Sequence, residues 1–209
     1  MGDSIIVPLF GAPLYVKENI FYDERVNEYL RSCEYERMVS KNGDYTKNKY
    51  ILEQPEVLDL KKAIQSSIDD FVFNQLHVAD DVQFYVTNSW AVRHGPRDWA
   101  QFHVHTNCLL SGVYYFDVKE LQGQLCFTKD LGPFSNTIFP LNVNLEFKEN
   151  NLFNSKKWFM SPKNGTIYIF PSWLLHNVTT NETPVDRYSL AFNVHLKGKI
   201  GEKEYELEI

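Results

Sequence analysis

Cysteine is scarce in this chain. There are three in 209 residues, Cys33, Cys108 and Cys126, widely spaced and with no C-x-x-C pair. An odd, scattered set builds neither a disulfide framework nor a zinc knuckle. Cys108 and Cys126 lie in apolar, strand-like runs, where a thiol serves as a small hydrophobe. Clustered positive charge is missing too. Lys and Arg are scattered singly and the net charge is -6. Nucleic-acid recognition through phosphates therefore has no footprint, and the acidic balance reads as a solubilising surface. No long apolar run occurs. The opening stretch MGDSIIVPLFGAPLYV lacks a basic leader and is interrupted by Pro8, Gly11 and Pro13, which excludes a signal peptide or membrane span there. Ile6 stands where a myristoylation pattern needs Ser or Thr. The sequons at Asn164, Asn177 and Asn181 are then chance matches, and a cytoplasmic protein is the expectation. No internal repeat is visible.

What is present points to one sheet-rich domain. A prior of roughly 150 residues per domain favours a single unit over residues 1–209. Hydrophobic residues make up 44% of the chain, enough for an ordinary core, and aromatics 15%, which tilts the reading towards strands. Residues 5–16 read as extended, with two prolines that suit an edge. Residues 22–39 read as a helix, with Val26, Tyr29, Leu30 and Cys33 at three- and four-residue steps. Asn42-Gly43 signals a turn, followed by a polar loop over 43–50. Pro55 opens a longer helix in which Val57, Leu60, Ile64, Ile68, Phe71, Val72 and Leu76 share a face. From Val82 the period changes to two. Strands are expected over 82–93, 102–105, 109–118, 123–128, 142–147, 157–160, 166–170 and 187–196, with a long surface loop over 132–154. The expected architecture is mainly β with N-terminal helices: residues 1–80 supply a strand and buttressing helices, and residues 81–200 form a jelly-roll or cupin-like core.

The chemistry concentrates in QFHVHTNCLLSGVYYF, residues 101–116. On a strand, residues two apart share a face, so His103 and His105 would present two imidazoles side by side. A third, His176, follows in FPSWLLHNV. A lone histidine is usually structural, and His77 and His195 are read that way; His94, in a turn before the motif, is left undecided. Three together suit Fe, Zn, Cu or Ni about equally. Arg187 and Ser189, in DRYSLAFNV, share a strand face, and a guanidinium beside a hydroxyl is a receptor for a carboxylate.

HVHTNCLLSGVYYF, GTIYIFPSWLLHNV and RYSLAFNV together resemble the signature of the 2-oxoglutarate/Fe(II) oxygenases found widely in bacteria and phages. The resemblance covers roughly residues 88–193. It implies a double-stranded β-helix, with Fe(II) and 2-oxoglutarate as metal and cosubstrate. It also implies O2-dependent hydroxylation of a substrate with release of succinate and CO2. His103 and His176 would be iron ligands. Arg187 and Ser189 would hold the distal carboxylate of 2-oxoglutarate, with a phenol from Tyr114 or Tyr115, of which alternation lets only one face inward. Asn107, Ser111 and Asn193 would support the site, and Asn88 and Trp90 would line it.

The chain departs from the wider superfamily at His105, where Asp or Glu usually stands. Either His105 completes a neutral triad, or another acid such as Asp98 reaches the metal. Two other readings stay open at this level: a three-histidine cupin-type metalloenzyme needing no 2-oxoglutarate, and a non-catalytic jelly-roll binding module. The aromatics Trp90, Trp99, Phe134 and Trp173 fit a small-molecule or peptide substrate. Exposed edge strands leave room for a homodimer.

Overall fold

The computed structural model describes residues 11–38, 42–79, 81–128, 146–201 and 204–209. Two helices cover one face of a large antiparallel sheet, and a smaller sheet closes over the other. Helix α1 (Glu24–Ser32) begins at Asp23, whose carboxylate accepts the Arg25 backbone N–H and satisfies a donor that helical hydrogen bonding leaves over. Helix α2 (Leu58–Asp69) follows a single 3-10 turn at Pro55–Val57 and continues as a π-helical stretch, Asp70–Gln75. Its stripe of Leu60, Ile64 and Ile68, extended by Phe71 and Val72, is buried. At about 1.5–3 kcal/mol for each fully buried aliphatic or Phe side chain, this face fixes α2 to the sheet. No helix among the described residues is long and apolar enough to cross a membrane.

The expected helix over 22–39 stops short. Residues beyond Ser32 turn into a hairpin of β2 (Tyr35–Arg37) and β3 (Asp44–Thr46), which extends the large sheet through β4 (Val82–His94). The same hairpin replaces the polar loop expected over 43–50. Tyr35 meets the Tyr188 ring edge-on at 6.2 Å, and this packing on the sheet overrides the local helical period.

The large sheet runs β1 (Tyr15–Lys17), β9 (Ile167–Pro171), β6 (Leu110–Asp117), β11 (Arg187–Ile200), β4, β3, β2, with β12 (Leu207–Glu208) added to β11. The smaller sheet runs β5 (Ala100–His103), β10 (His176–Val178), β7 (Leu125–Thr128), β8 (Lys157–Met160). β1 is an edge strand at the C-terminal end of the extended segment expected over 5–16. The additional strands β2, β3, β10 and β12 span two or three residues each, too few for a period of two to be seen in sequence. The expected strand over 142–147 lies mostly outside the described residues, and Glu146 and Phe147 carry no strand; residues 5–10 of the expected extended segment also lie outside. Two facing antiparallel sheets with a helical cover make a double-stranded β-helix.

Alternation divides the large sheet's residues between two cores. Leu110, Tyr114, Phe116, Ile167, Ile169, Leu190, Phe192 and Val194 pack under the helices. Tyr115, Tyr168 and Phe170 pack between the sheets with Leu125, Phe127 and Leu174. The inward face also carries polar groups in cross-strand rows: Asn88, Asn193 and Ser111; Ser189 and Tyr115; His94 and Arg187. A buried face rich in polar side chains is where a ligand is expected.

Candidate metal centre

His103, at the end of β5, and His176, at the start of β10, are register partners across the smaller sheet. His105 lies just beyond β5, held by its N–H to the Ser172 carbonyl at 3.0 Å. The three side chains offer ligand atoms within 4.8 Å of one another. Ring centroids are 4.3 Å apart for His103 and His176, and 5.3 Å for each pair with His105. His176 is buried, wedged against Phe170 and Phe127, and Trp90 stacks on His105.

The hydrogen bonds define which nitrogens face the cavity. Nδ1 of His103 meets the Gln101 carbonyl at 2.8 Å, and Nδ1 of His176 the Leu174 carbonyl at 2.8 Å. Nδ1 of His105 meets Oδ1 of Asn193 at 2.7 Å. A carbonyl oxygen only accepts, so each Nδ1 carries a proton, and in the neutral ring each Nε2 keeps the lone pair. Three neutral imidazoles with fixed tautomers and converging Nε2 atoms form a donor set that fits a first-row divalent ion. Asn193 Oδ1 also accepts the Ser111 hydroxyl at 3.1 Å, so Ser111 and Asn193 together orient His105.

Asp98 does not belong to this group. Arg37 grips its carboxylate with two N–H groups at 3.0 and 2.8 Å, and the Gly95 N–H donates to it at 2.9 Å. The Arg37 hydrogen bonds, with a lesser contribution from the Gly95 N–H, hold its acidity stronger than that of an ordinary aspartate, although burial, second in size to the Arg37 hydrogen bonds, opposes them. It staples the loop after β4 to Arg37 of β2. Among the described residues the three histidines group without Asp98.

Beside the imidazoles lies a cavity of about 110 Å³ lined by Trp90, His94, Tyr115, Arg187 and Ser189 as well as the three histidines. That is of the order of the roughly 150 Å³ cavity known to hold benzene. Arg187 is 1% exposed. Its Nη1 donates to the Gln122 carbonyl at 3.1 Å, its Nη2 to Nδ1 of His94 at 2.5 Å, and its Nε is buried without an acceptor. Among the described residues no acidic side chain pairs with it. Burial lowers its proton affinity, opposed by Tyr115. A buried cation with no protein anion is costly and creates a strong demand for an anionic ligand.

Tyr115 faces this cavity, its ring 5.8 Å from the Arg187 guanidinium, and burial pushes its phenol up from the ordinary value while Arg187 opposes. Tyr114 faces the helices and donates to the Phe21 carbonyl at 2.8 Å. On the other side of the imidazoles an open cleft of about 590 Å³ is lined by Tyr50, Thr87, Asn88, Trp90, Thr106, Asn107 and Asn193 together with His103 and His105. Trp99 and Trp173 are exposed, line neither space, and Phe134 lies outside the described residues. His94, undecided from sequence as a turn residue, is the last residue of β4. Gln122 escaped the sequence reading because it contributes a backbone carbonyl, which leaves no trace in residue type.

A family model described as "Putative 2OG-Fe(II) oxygenase" matches residues 88–193. Comparison with curated proteins finds no match. Among solved structures, the chain is similar to an oxidoreductase of the 2OG-Fe(II) oxygenase family from Burkholderia pseudomallei (10% identity, TM-score 0.58, covering 88% of this chain and 84% of that one). It is similar to HygX from Streptomyces hygroscopicus, solved with nickel and 2-oxoglutarate (12%, 0.58, 88% and 83%). It is also similar to a Pseudomonas putida prolyl-4-hydroxylase (12%, 0.56, 87% and 92%). These likenesses establish the shared fold.

Proposed function

Since the chain belongs to the 2OG-Fe(II) oxygenase family, we propose that His103, His105 and His176 hold Fe(II) through Nε2 and that 2-oxoglutarate occupies the cavity beside them. When bound, Fe(II), 2-oxoglutarate and O2 supply the oxidising power, and succinate and CO2 leave as products. The chain's own residues bind and orient. Arg187 pairs with the distal carboxylate, Ser189 and Tyr115 flank it, and the apolar walls keep water out. Asn88, Trp90 and Asn107 line the cleft through which a small molecule or a peptide reaches the metal for hydroxylation.

The observation that carries this reading is Arg187, buried without an acidic partner among the described residues. A cupin-type enzyme without a keto acid, or an inert binding module, has no use for such a cation. With three neutral imidazoles, the ligand must also supply the negative charge that a metal-binding Asp or Glu would otherwise contribute. The free thiols Cys33, Cys108 and Cys126 suit a reducing compartment, so we place the reaction in the cytoplasm. The exposed edge strands make self-association into a homodimer part of the same proposal.

The test is 2-oxoglutarate turnover. Fe(II)-loaded protein is expected to convert 2-oxoglutarate to succinate with O2 uptake, and Arg187→Leu to lose this at ordinary cosubstrate concentration. An Arg187→Leu variant with the parent's activity would instead favour the cupin-type reading.

A further inference from the structure

We propose that His94 is a positioning residue for the carboxylate site: a neutral acceptor that fixes the Arg187 guanidinium without neutralising it. The proposal rests on the functional reading above and adds a residue to it.

His94 and Arg187 are register partners on β4 and β11. Both are buried, at 3% and 1% exposure. The Arg187 Nη2 approaches His94 Nδ1 at 2.5 Å. A guanidinium has donors only, so His94 Nδ1 is unprotonated and accepts. The Gln122 carbonyl takes Nη1 at 3.1 Å. The guanidinium is thus held at both terminal nitrogens by uncharged acceptors, inside a cavity that His94 and Arg187 both line.

The choice of acceptor has a consequence. A carboxylate at position 94 would hold Arg187 equally well, but it would compensate the positive charge and compete with an incoming acid. Imidazole supplies the geometry and leaves the charge for the ligand. Holding the receptor in its bound arrangement in advance lowers the ordering cost of binding.

The backbone accommodates the ring. Gly43, in the turn between β2 and β3, has φ +122, and a Cβ there would sit 2.9 Å from His94 Cδ2. The hairpin thus passes over the imidazole at a point where only glycine fits.

The experiment measures 2-oxoglutarate binding by calorimetry to the full-length protein loaded with redox-inert Zn(II), comparing parent, His94→Asn, His94→Asp and His94→Leu. Asn places a neutral oxygen near the Nδ1 position, and Asp differs from it in charge. Asn is expected to bind within a few-fold of the parent. Asp and Leu are expected to bind about tenfold or more weakly, the usual scale for a hydrogen bond to a charged group. In turnover, KM for 2-oxoglutarate should rise by more than kcat falls. Where Leu fails to fold, the Asn and Asp pair carries the test. Parent-like binding by Asp overturns the proposal and leaves the functional reading standing. A parent protein that binds no 2-oxoglutarate overturns the functional reading itself.

Discussion

His103 and His176 face each other across the β5–β10 pair, register partners with ring centroids 4.3 Å apart. The smaller sheet therefore sets two of the three histidines by strand pairing, and His105 joins from just beyond the strand. Replacing His176 with Ala removes one donor from a rigid set. Metal affinity measured by competition with a chromophoric chelator should fall to background, while the circular dichroism spectrum stays that of the parent. Retained tight binding by the variant would show that the ion sits elsewhere.

Asn193 controls how His105 presents its lone pair. Its Oδ1 accepts from His105 Nδ1 and from Ser111. Asn193→Leu leaves His105 unoriented, and metal affinity should drop about 10- to 100-fold, the scale seen when the partner of a ligating histidine is removed. Asn193→Asp keeps the acceptor and should retain most of the affinity. Equal affinity in parent and Leu variant would remove Asn193 from this role.

The Asp98 ion pair predicts a pH signature. Its carboxyl is held below the usual aspartate range, first by Arg37 and then by the Gly95 N–H. A carboxyl depressed in the fold stabilises it above the unfolded value, about 3.9, and that stability is lost as pH falls through the lower folded value. Asp98→Asn should therefore melt below the parent at pH 7, and the gap should close as the pH falls below the unfolded aspartate value of about 3.9. A gap that is constant across this range would contradict the assignment.

Gly112 sits on β6 opposite Phe192 on β11. A Cβ there would lie 2.1 Å from the Phe192 Cζ, at the centre of the helix-side core. Gly112→Ala forces the ring to move, at a cost of about 1–3 kcal/mol for overpacking. The urea midpoint should fall by the corresponding amount. An unchanged midpoint would mean the core yields more easily than its packing implies.

The long elements were legible because their patterns are strong. The α2 stripe and the period-two run of β4 are each more than ten residues long, and alternation put Arg187 and Ser189 on one face, while only the resemblance pointed that face inward. The β2–β3 hairpin was misread as helix and loop because strands of three residues show no periodicity, and their pairing depends on the distant β4. The triad was legible from histidine spacing and from the resemblance of its motifs. Which tyrosine faces the cavity was not, since Tyr114 and Tyr115 are adjacent and identical, and the strand's register against β11 decides. The involvement of His94 and of the Gln122 carbonyl needed coordinates, because both act through Arg187 rather than through a motif.

The central claim is that one cavity holds a metal on His103, His105 and His176 and a keto acid on Arg187. Anaerobic titration of the apoprotein with Fe(II) and 2-oxoglutarate, followed by visible absorption, tests it most directly. The account predicts a charge-transfer band that appears only when both are present, saturates at one equivalent of each, and is lost in His176→Ala. No band with both present, together with no calorimetric binding of 2-oxoglutarate to the metal-loaded protein, would contradict it.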